Sequence, residues 1–466
     1  MSNPIDKENL IENRIEVDEP AVNEDQLGIP GAIGMARRKP IIAATTRVTI
    51  LLSMMYLIMY LDRVNISMAA KAIMKEFSLS NTQLGFAFSA FFWPYFIGQL
   101  FGGYFAKHIG SRLTLILCGT LVAVMTISTG FVTGLMTLMA VRFGLGCGEG
   151  PAWSGATSAM SDWYDVKKFG FIQGVTHSAS RVGMTIAPPI VAFIMLYLGW
   201  RWAFIFCGIL SVAWVIAWSY IYRDNPRTHP LITEKELAKL PAVSKVTRKV
   251  RVPTLALAKR IAPVMMCQFA YGVGLWLFVS WLPLYFMNKH GLNLKTSALL
   301  SALTFGAGLI GDALGGVLSD HVFHRTGNKR LARNVLICTF LLAAAAFLYA
   351  TMLTHNITAV TIIIGVSFFF LELTVGPMWA VPMDISRDFA GIAAGMMNFG
   401  AGLAGIVSPP IIGWLLDRTH NWDNPFLCIV GTLALGGILA IFLRPDKPFV
   451  WSHAESVMER PLDQAD

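Results

Sequence analysis

Residues 142–153 read RFGLGCGEGPAW, and the last four, GPAW at 150–153, return as GPMW at 376–379, an offset of 226. Outward from that pair, two more landmarks repeat in the same order. APPI at 187–190 returns as SPPI at 408–411, and GGYFAKHIGSR at 102–112 is paralleled by GGVLSDHVFHR at 315–325. Three matched landmarks in one order describe a duplicated chain. Between the copies lies the one long polar stretch, 223–260, in which TEKEL at 233–237 reads as a short surface helix.

Of the 466 residues, 55% are hydrophobic and 14% charged, whereas a soluble domain needs about a quarter charged residues to cover its surface. The apolar residues fall in blocks of about 20, enough to cross a hydrocarbon core of about 30 Å as helices. Twelve spans are expected, at 47–69, 84–106, 113–131, 135–158, 170–196, 201–222, 261–287, 297–319, 333–353, 357–382, 391–415 and 425–443. The expected fold is therefore an all-α membrane protein, twelve transmembrane helices in two pseudo-symmetric six-helix halves. Its parts are an acidic tail (1–46), a first bundle (47–222), a linker (223–260), a second bundle (261–444) and a second tail (445–466). Duplicated halves of this kind are a transporter architecture, with the substrate site where the halves meet near the midplane. The polar first 46 residues hold no apolar core and no small-residue cleavage site, unlike a signal peptide. All six cysteines lie inside apolar blocks without paired spacing, as packing residues do.

The charges are asymmetric. Residues 1–25 carry eight acids against Lys7 and Arg14, while the net charge of the chain is +9. With the amino terminus placed in the cytoplasm, tails and inner loops contain 28 of the 37 Lys and Arg, and outer loops six. That bias predicts both termini inside a plasma membrane. It also reads the basic balance as orientation, with no nucleic-acid partner.

Seven ionisable residues fall well inside the spans: Asp62, Arg63, Arg142, Glu149, Arg181, Asp312 and Glu372. Each costs at least about 2.5–3.5 kcal/mol at the centre of a membrane helix, so each needs a partner or a task. Asp62 and Arg63 are adjacent and point about 100° apart on a helix, so they cannot share a face. Either they are an anion ligand and a titrating carboxyl, or they form interhelical ion pairs. Arg142 and Glu149 are two turns apart on one face, with about 10.5 Å of rise between them. That stack suits a proton relay, a structural salt bridge being the alternative. Gln173, His177 and Arg181 make one polar stripe at four-residue spacing. Arg181, whose guanidinium suits a carboxylate, is a second candidate anion ligand or else a packing charge paired to Glu149 or Glu372. Asp312 is expected near the inner end of the eighth span as part of a gate-latching salt bridge. Glu372 reads as a second proton site or a buried structural carboxyl. Tyr60, Tyr95, Tyr271, Trp281, Trp379 and Asn398 are candidates for hydroxyl partners and flat walls of a substrate site. No phosphate loop, HExxH or nucleophile triad is present in the sequence, so no enzyme activity, metal or organic cofactor is expected.

From 47 to 444 the chain resembles the major facilitator superfamily. The loop at 102–112 matches that family's Gly-rich motif through Gly103, Gly110 and Arg112, with Lys107 where an acid is usual. The second copy keeps its acid, Asp320. The resemblance implies gating roles for Arg112, Asp320 and Asp312 at the inner face. YLDRVN (60–65), SAFFWPY (89–95) and RFGLGCGEG (142–150) look like the anion:cation symporter branch, and WLPLYF (281–286), WAVPMD (379–384) and MNFG (397–400) fit it. In that branch carboxylated substrates are carried, often with protons.

The resemblance implies Arg63 as the main carboxylate ligand, with Tyr95 and Asn398 at motif positions beside the substrate; Arg181 is added for its chemistry, and Tyr60 and Trp379 as aromatic walls. It implies proton coupling through Asp62, Glu149 and Arg142. The expected function is import of a small organic anion, a sugar acid or similar monocarboxylate, by proton symport in a functional monomer. Within the same fold the cargo could instead be an inorganic anion, a dicarboxylate, an aromatic acid or a drug expelled by antiport. Three buried arginines favour an anion over a cationic drug. A non-transporting membrane sensor would carry a folded cytoplasmic domain, for which the polar loop of about 38 residues leaves little room.

Overall fold

The computed structural model describes residues 43–164, 166–233, 236, 254–386, 389–447 and 449. Ten helical stretches are long and apolar enough to cross a membrane by length and composition, and the chain is a multi-pass integral membrane protein. The helices are α1 (Ala44–Phe77), α2 (Asn81–Ala90), α3 (Phe92–Thr129), α4 (Leu135–Trp163), α5 (Val166–Leu198) and α6 (Trp200–Ile221). After the linker come α7 (Thr254–Lys289), α8 (Leu294–Thr326), α9 (Leu336–Ala350), α10 (Ile357–Leu373), α11 (Val375–Ile385), α12 (Ala390–Thr419) and α13 (Asp423–Ala440). Of the TEKEL segment only Thr233 and Glu236 are described. The Glu236 carboxylate accepts from the Thr45 backbone N–H at 3.0 Å and from its hydroxyl at 2.9 Å, satisfying an orphan donor of the first turn of α1.

The expected loop between the second and third spans is shortened to a sharp break. The stretch Phe92–Thr129 is two helices that meet at Gly110, its one non-helical residue, with φ 84° and ψ 151°. Glycine adopts that conformation without a Cβ penalty. The Asp224 carboxylate, just beyond α6, fills the space where a side chain would stand and accepts from the Arg112 backbone N–H at 2.7 Å. The expected tenth span is likewise two segments, α10 and α11, meeting at Thr374 just before the GPMW motif. A π-helical turn, Leu331–Val335, opens the ninth. The expected fourth span, α4, is absent from the ten apolar stretches because its glycines, serines, Arg142 and Glu149 dilute its hydropathy.

In both copies glycines of the repeated landmarks lie directly against backbone of a neighbouring helix, through different partners. A Cβ on Gly102 would lie 2.3 Å from the Pro151 carbonyl oxygen of GPAW, and one on Gly376 of GPMW would lie 2.3 Å from the Gly316 nitrogen. The glycines therefore let the backbones of α3 and α4, and of α8 and α11, touch. Similar close approach joins α2 to α12, where Gly85 lies under the Pro409 carbonyl. The large apolar side chains left exposed on the outside, among them Phe171, Tyr197, Trp202 and Tyr220, suit a hydrocarbon solvent.

Contacts between α1–α6 and α7–α13 run inward from the rim where α2 begins. The Ser80 hydroxyl and Gln83 side chain cap α2 reciprocally, and Asp417, near the end of α12, completes the cap from across the molecule. Asp417 accepts from the backbone N–H groups of Asn81 (3.0 Å) and Thr82 (2.8 Å) and from both their side chains (2.8 and 2.5 Å). Deeper, the Ser89 hydroxyl donates to the Ile406 carbonyl at 2.7 Å, and the Asn398 amide donates to Gln99 Oε1 at 3.1 Å.

Candidate functional site

Three helices of the first copy bring their arginines to one place. Arg63 comes from α1, Arg142 from α4 and Arg181 from α5, and all are buried. Aromatic rings interleave them. The Tyr60 ring lies 4.9 Å from the Arg63 guanidinium carbon and 5.7 Å from that of Arg181. The Phe91 ring lies 5.2 Å from Arg63 and 4.9 Å from Arg142. Tyr95, stacked on Phe91, and Trp153 of GPAW also face Arg63, at 4.7 and 5.6 Å. The negative faces of these rings partly offset the mutual repulsion of three cations, by about 0.5–2 kcal/mol per contact.

Two of the arginines have carboxylate partners. Arg63 Nε and Nη2 both donate to Glu149 Oε2, at 2.9 and 2.7 Å, and Glu149 is fully buried. Glu149 Oε1 has no hydrogen-bond partner among the described residues. Arg181 Nη2 lies 2.8 Å from Glu372 Oε2 of α10, and its Nε lies 3.4 Å from Asp312 Oδ2 of α8. Tyr271 of α7 joins this second pair, accepting from Arg181 Nη2 at 3.2 Å and donating to Glu372 Oε1 at 3.3 Å. The Arg63 pair belongs wholly to the first copy, whereas the Arg181 pair bridges the two.

Other expected residues stand elsewhere. Asp62 points away from Arg63 and accepts from the Thr126 hydroxyl of α3 at 3.2 Å, its other oxygen unpartnered among the described residues. The 100° between adjacent helical positions produces that separation. Arg142 stands over Phe91 with its Nε unpartnered among the described residues, while Glu149 turns to Arg63. Asp312 is corrected from the inner end of its helix to the central cluster. The reason is length: α8 continues to Thr326, so Asp312 lies well within it. Ion pairs beyond the cluster use Asp320, 3.5 Å from Arg333, and Asp384, 3.0 Å from Arg333 and 3.1 Å from Lys329. Arg112 donates to the Ser219 carbonyl at 2.5 Å. Trp379 reaches the cluster only through His177, with ring centroids 6.5 Å apart. Asn398 binds Gln99 across the copies, and Trp281 packs between Phe88 and Trp422, away from the arginines. Trp153, Phe91 and Thr126 were not expected in the site. Trp153 carried a signal in the repeated GPAW and Phe91 in SAFFWPY (89–95), whereas Thr126 carried none.

Chemically, the cluster can exchange partners. Arg63 and Arg181 are each held by a carboxylate that protonation would neutralise, and donors unpaired among the described residues remain at Arg181 Nη1, Arg142 Nε and Trp153 Nε1. Such a site can trade an internal carboxylate for an external anion.

The sequence model of the Major Facilitator Superfamily matches residues 52–409. A protein of Cupriavidus necator named as a probable sulfoacetate transporter is 41% identical over 395 residues, 84% of this chain and 92% of that one. The hexuronate transporter of Bacillus subtilis is 29% identical, covering 86% of this chain and 95% of its own. Among solved structures, a D-xylose-proton symporter superposes with a TM-score of 0.68 at 17% identity, over 85% of this chain and 97% of that one.

Proposed function

This chain belongs to the major facilitator superfamily, and from that premise we propose that it imports a small organic anion across the bacterial inner membrane by proton symport. The relatives named for sulfoacetate and hexuronate support an acidic cargo. The close packing of GG against GP in both copies supports two six-helix halves that rock about a central site. The excess of Lys and Arg in the tails and alternate loops supports cytoplasmic termini.

The observation that carries the reading is the Arg63–Glu149 pair beneath Tyr60 and Tyr95. With the site open to the outside, a proton on Glu149 releases Arg63, whose two-pronged guanidinium takes the substrate's acid group. Bound proton and bound anion then favour each other by one reciprocal coupling free energy. With the site open to the cytoplasm, loss of the proton restores the internal pair and expels the anion. Asp62, buried without an ion pair among the described residues, is the second coupling carboxyl, and Arg142 above Phe91 supplies the field that both sense. Glu149→Gln fixes the neutral form. In proteoliposomes it retains counterflow of labelled sulfoacetate or glucuronate at equal pH and loses accumulation driven by a pH difference. Accumulation that still follows the imposed proton gradient in this variant would remove Glu149 from the coupling.

A further inference from the structure

Resting on the anion-symport reading, we infer that Arg181 and Glu372 form a second anion-exchange unit, so that the site takes a substrate with two acid groups. Both guanidiniums lie against one ring, Tyr60, at 4.9 Å for Arg63 and 5.7 Å for Arg181, so their central carbons are no more than about 11 Å apart. One small molecule can span that distance. Each guanidinium is held by its own buried carboxylate: Glu149 for Arg63, Glu372 for Arg181. Arg181 also keeps an unpartnered Nη1 among the described residues, although its side chain is only 9% exposed. A buried donor left open beside a carboxylate partner is what a ligand's acid group would fill.

The charge balance follows from the pairs. A single acid group displaces one internal carboxylate, and the net charge of the low-dielectric site is unchanged only if one proton goes onto that carboxylate. A dianion engaging both arginines displaces two, so one proton goes onto Glu149 and one onto Glu372, both from the outer aqueous side. Both protons leave to the cytoplasm when the pairs reform. The groups facing Glu372 are Arg181 of α5, Asp312 of α8 and Tyr271 of α7, with Tyr60 of α1 and His177 of α5 next to them. Asp312, 3.4 Å from Arg181, keeps a weaker hold on the guanidinium after Glu372 lets go.

Because Arg181 reaches across to the second copy, releasing it from Glu372 also loosens the contact between copies. Substrate with one acid group leaves that contact intact. The second unit therefore makes the two-acid substrate the one that frees the halves to move.

The test uses purified full-length protein and a panel of sulfoacetate, tartrate and galactarate, each beside its monoamide, which keeps the length and removes one charge. At least one diacid is expected to bind at least about tenfold tighter than its monoamide, the scale of one charge-assisted hydrogen-bonded contact. Proton-to-substrate stoichiometry is then read from the pH difference that just balances a substrate gradient in proteoliposomes. Glu372→Gln should lower it by one proton per substrate, a change that a merely structural carboxyl would not produce. The double variant Arg181→Gln/Glu372→Gln removes both charges together and guards against misfolding of the single variant. It should bind diacid and monoamide with affinities within about threefold of each other. Equal binding of every diacid and its monoamide by the unsubstituted protein overturns the second unit and leaves anion symport standing. A diacid preference that survives in the double variant, or an unchanged proton count in Glu372→Gln, also overturns it. Binding of neither member of any pair takes down both readings.

Discussion

Arg63 presents two nitrogens to one oxygen of Glu149 in a fully enclosed setting, and the same fork would engage the substrate. Lysine keeps the charge and loses the fork. Arg63→Lys should therefore weaken substrate binding by about 10- to 100-fold, the equivalent of one charged hydrogen bond at about 1.5–3 kcal/mol. Titration of binding beside a thermal melt of the same sample checks this. An unchanged affinity would leave Arg63 a structural partner of Glu149. Most of these charges were legible in the sequence because an ionisable residue inside an apolar block stands out against its cost. Their partners were less legible. Pairing Arg63 with Glu149 needs α1 and α4 side by side, and pairing Arg181 with Asp312 needs the depth of α8, which a hydropathy boundary set too short. Phe91, which lies against two arginines, fell inside SAFFWPY but was not singled out, since an aromatic in a membrane span ordinarily signals packing.

At the scale of the element, the repeated GG pairs behave alike in both copies. A Cβ on the first glycine meets backbone, 2.3 Å from the Pro151 oxygen for Gly102 and 2.4 Å from the Leu373 oxygen for Gly315. A Cβ on the second, Gly103 or Gly316, meets nothing within 4 Å. Gly102→Ala and Gly315→Ala must push two helices apart and should each destabilise the protein by about 1–3 kcal/mol. Gly103→Ala and Gly316→Ala gain helix propensity of up to about 1 kcal/mol and should melt at or slightly above the parent temperature. Thermal unfolding in detergent separates the pairs, and equal melting within either pair would contradict the backbone contact. The repeat itself was plain in the sequence. The break at Gly110 fell inside the expected loop, but its support by Asp224 was not legible, because that residue is 114 positions away.

At the scale of the molecule, transport requires the contacts between the two copies to break on one side while others form. In the orientation proposed above, with both termini in the cytoplasm, the rim at Asn81, Thr82 and Asp417 is the outer one, and the two copies are latched there. This latch left no mark in the sequence: Asp417 falls beyond the expected eleventh span, and its partners lie 335 and 336 residues away. Its carboxylate satisfies two N–H groups at the start of α2, donors that the opening of the rim would expose to water. Water can replace those bonds, so their loss favours the open state by less than their sum. A loss of about 1.5–3 kcal/mol would still shift the balance between closed and open rim by about 10- to 100-fold. Asp417→Ala should therefore raise the share of molecules open to the outside. Ser89, buried on α2 against the Ile406 carbonyl, reports that opening. With the six native cysteines replaced, Ser89→Cys should react with a membrane-impermeant thiol reagent, added from outside, at least about tenfold faster when Asp417 is alanine. Asp417→Asn, which keeps the acceptor oxygen and loses the charge, should fall between. The same reaction rate in all three backgrounds would mean that Asp417 only caps a helix and does not hold the rim closed.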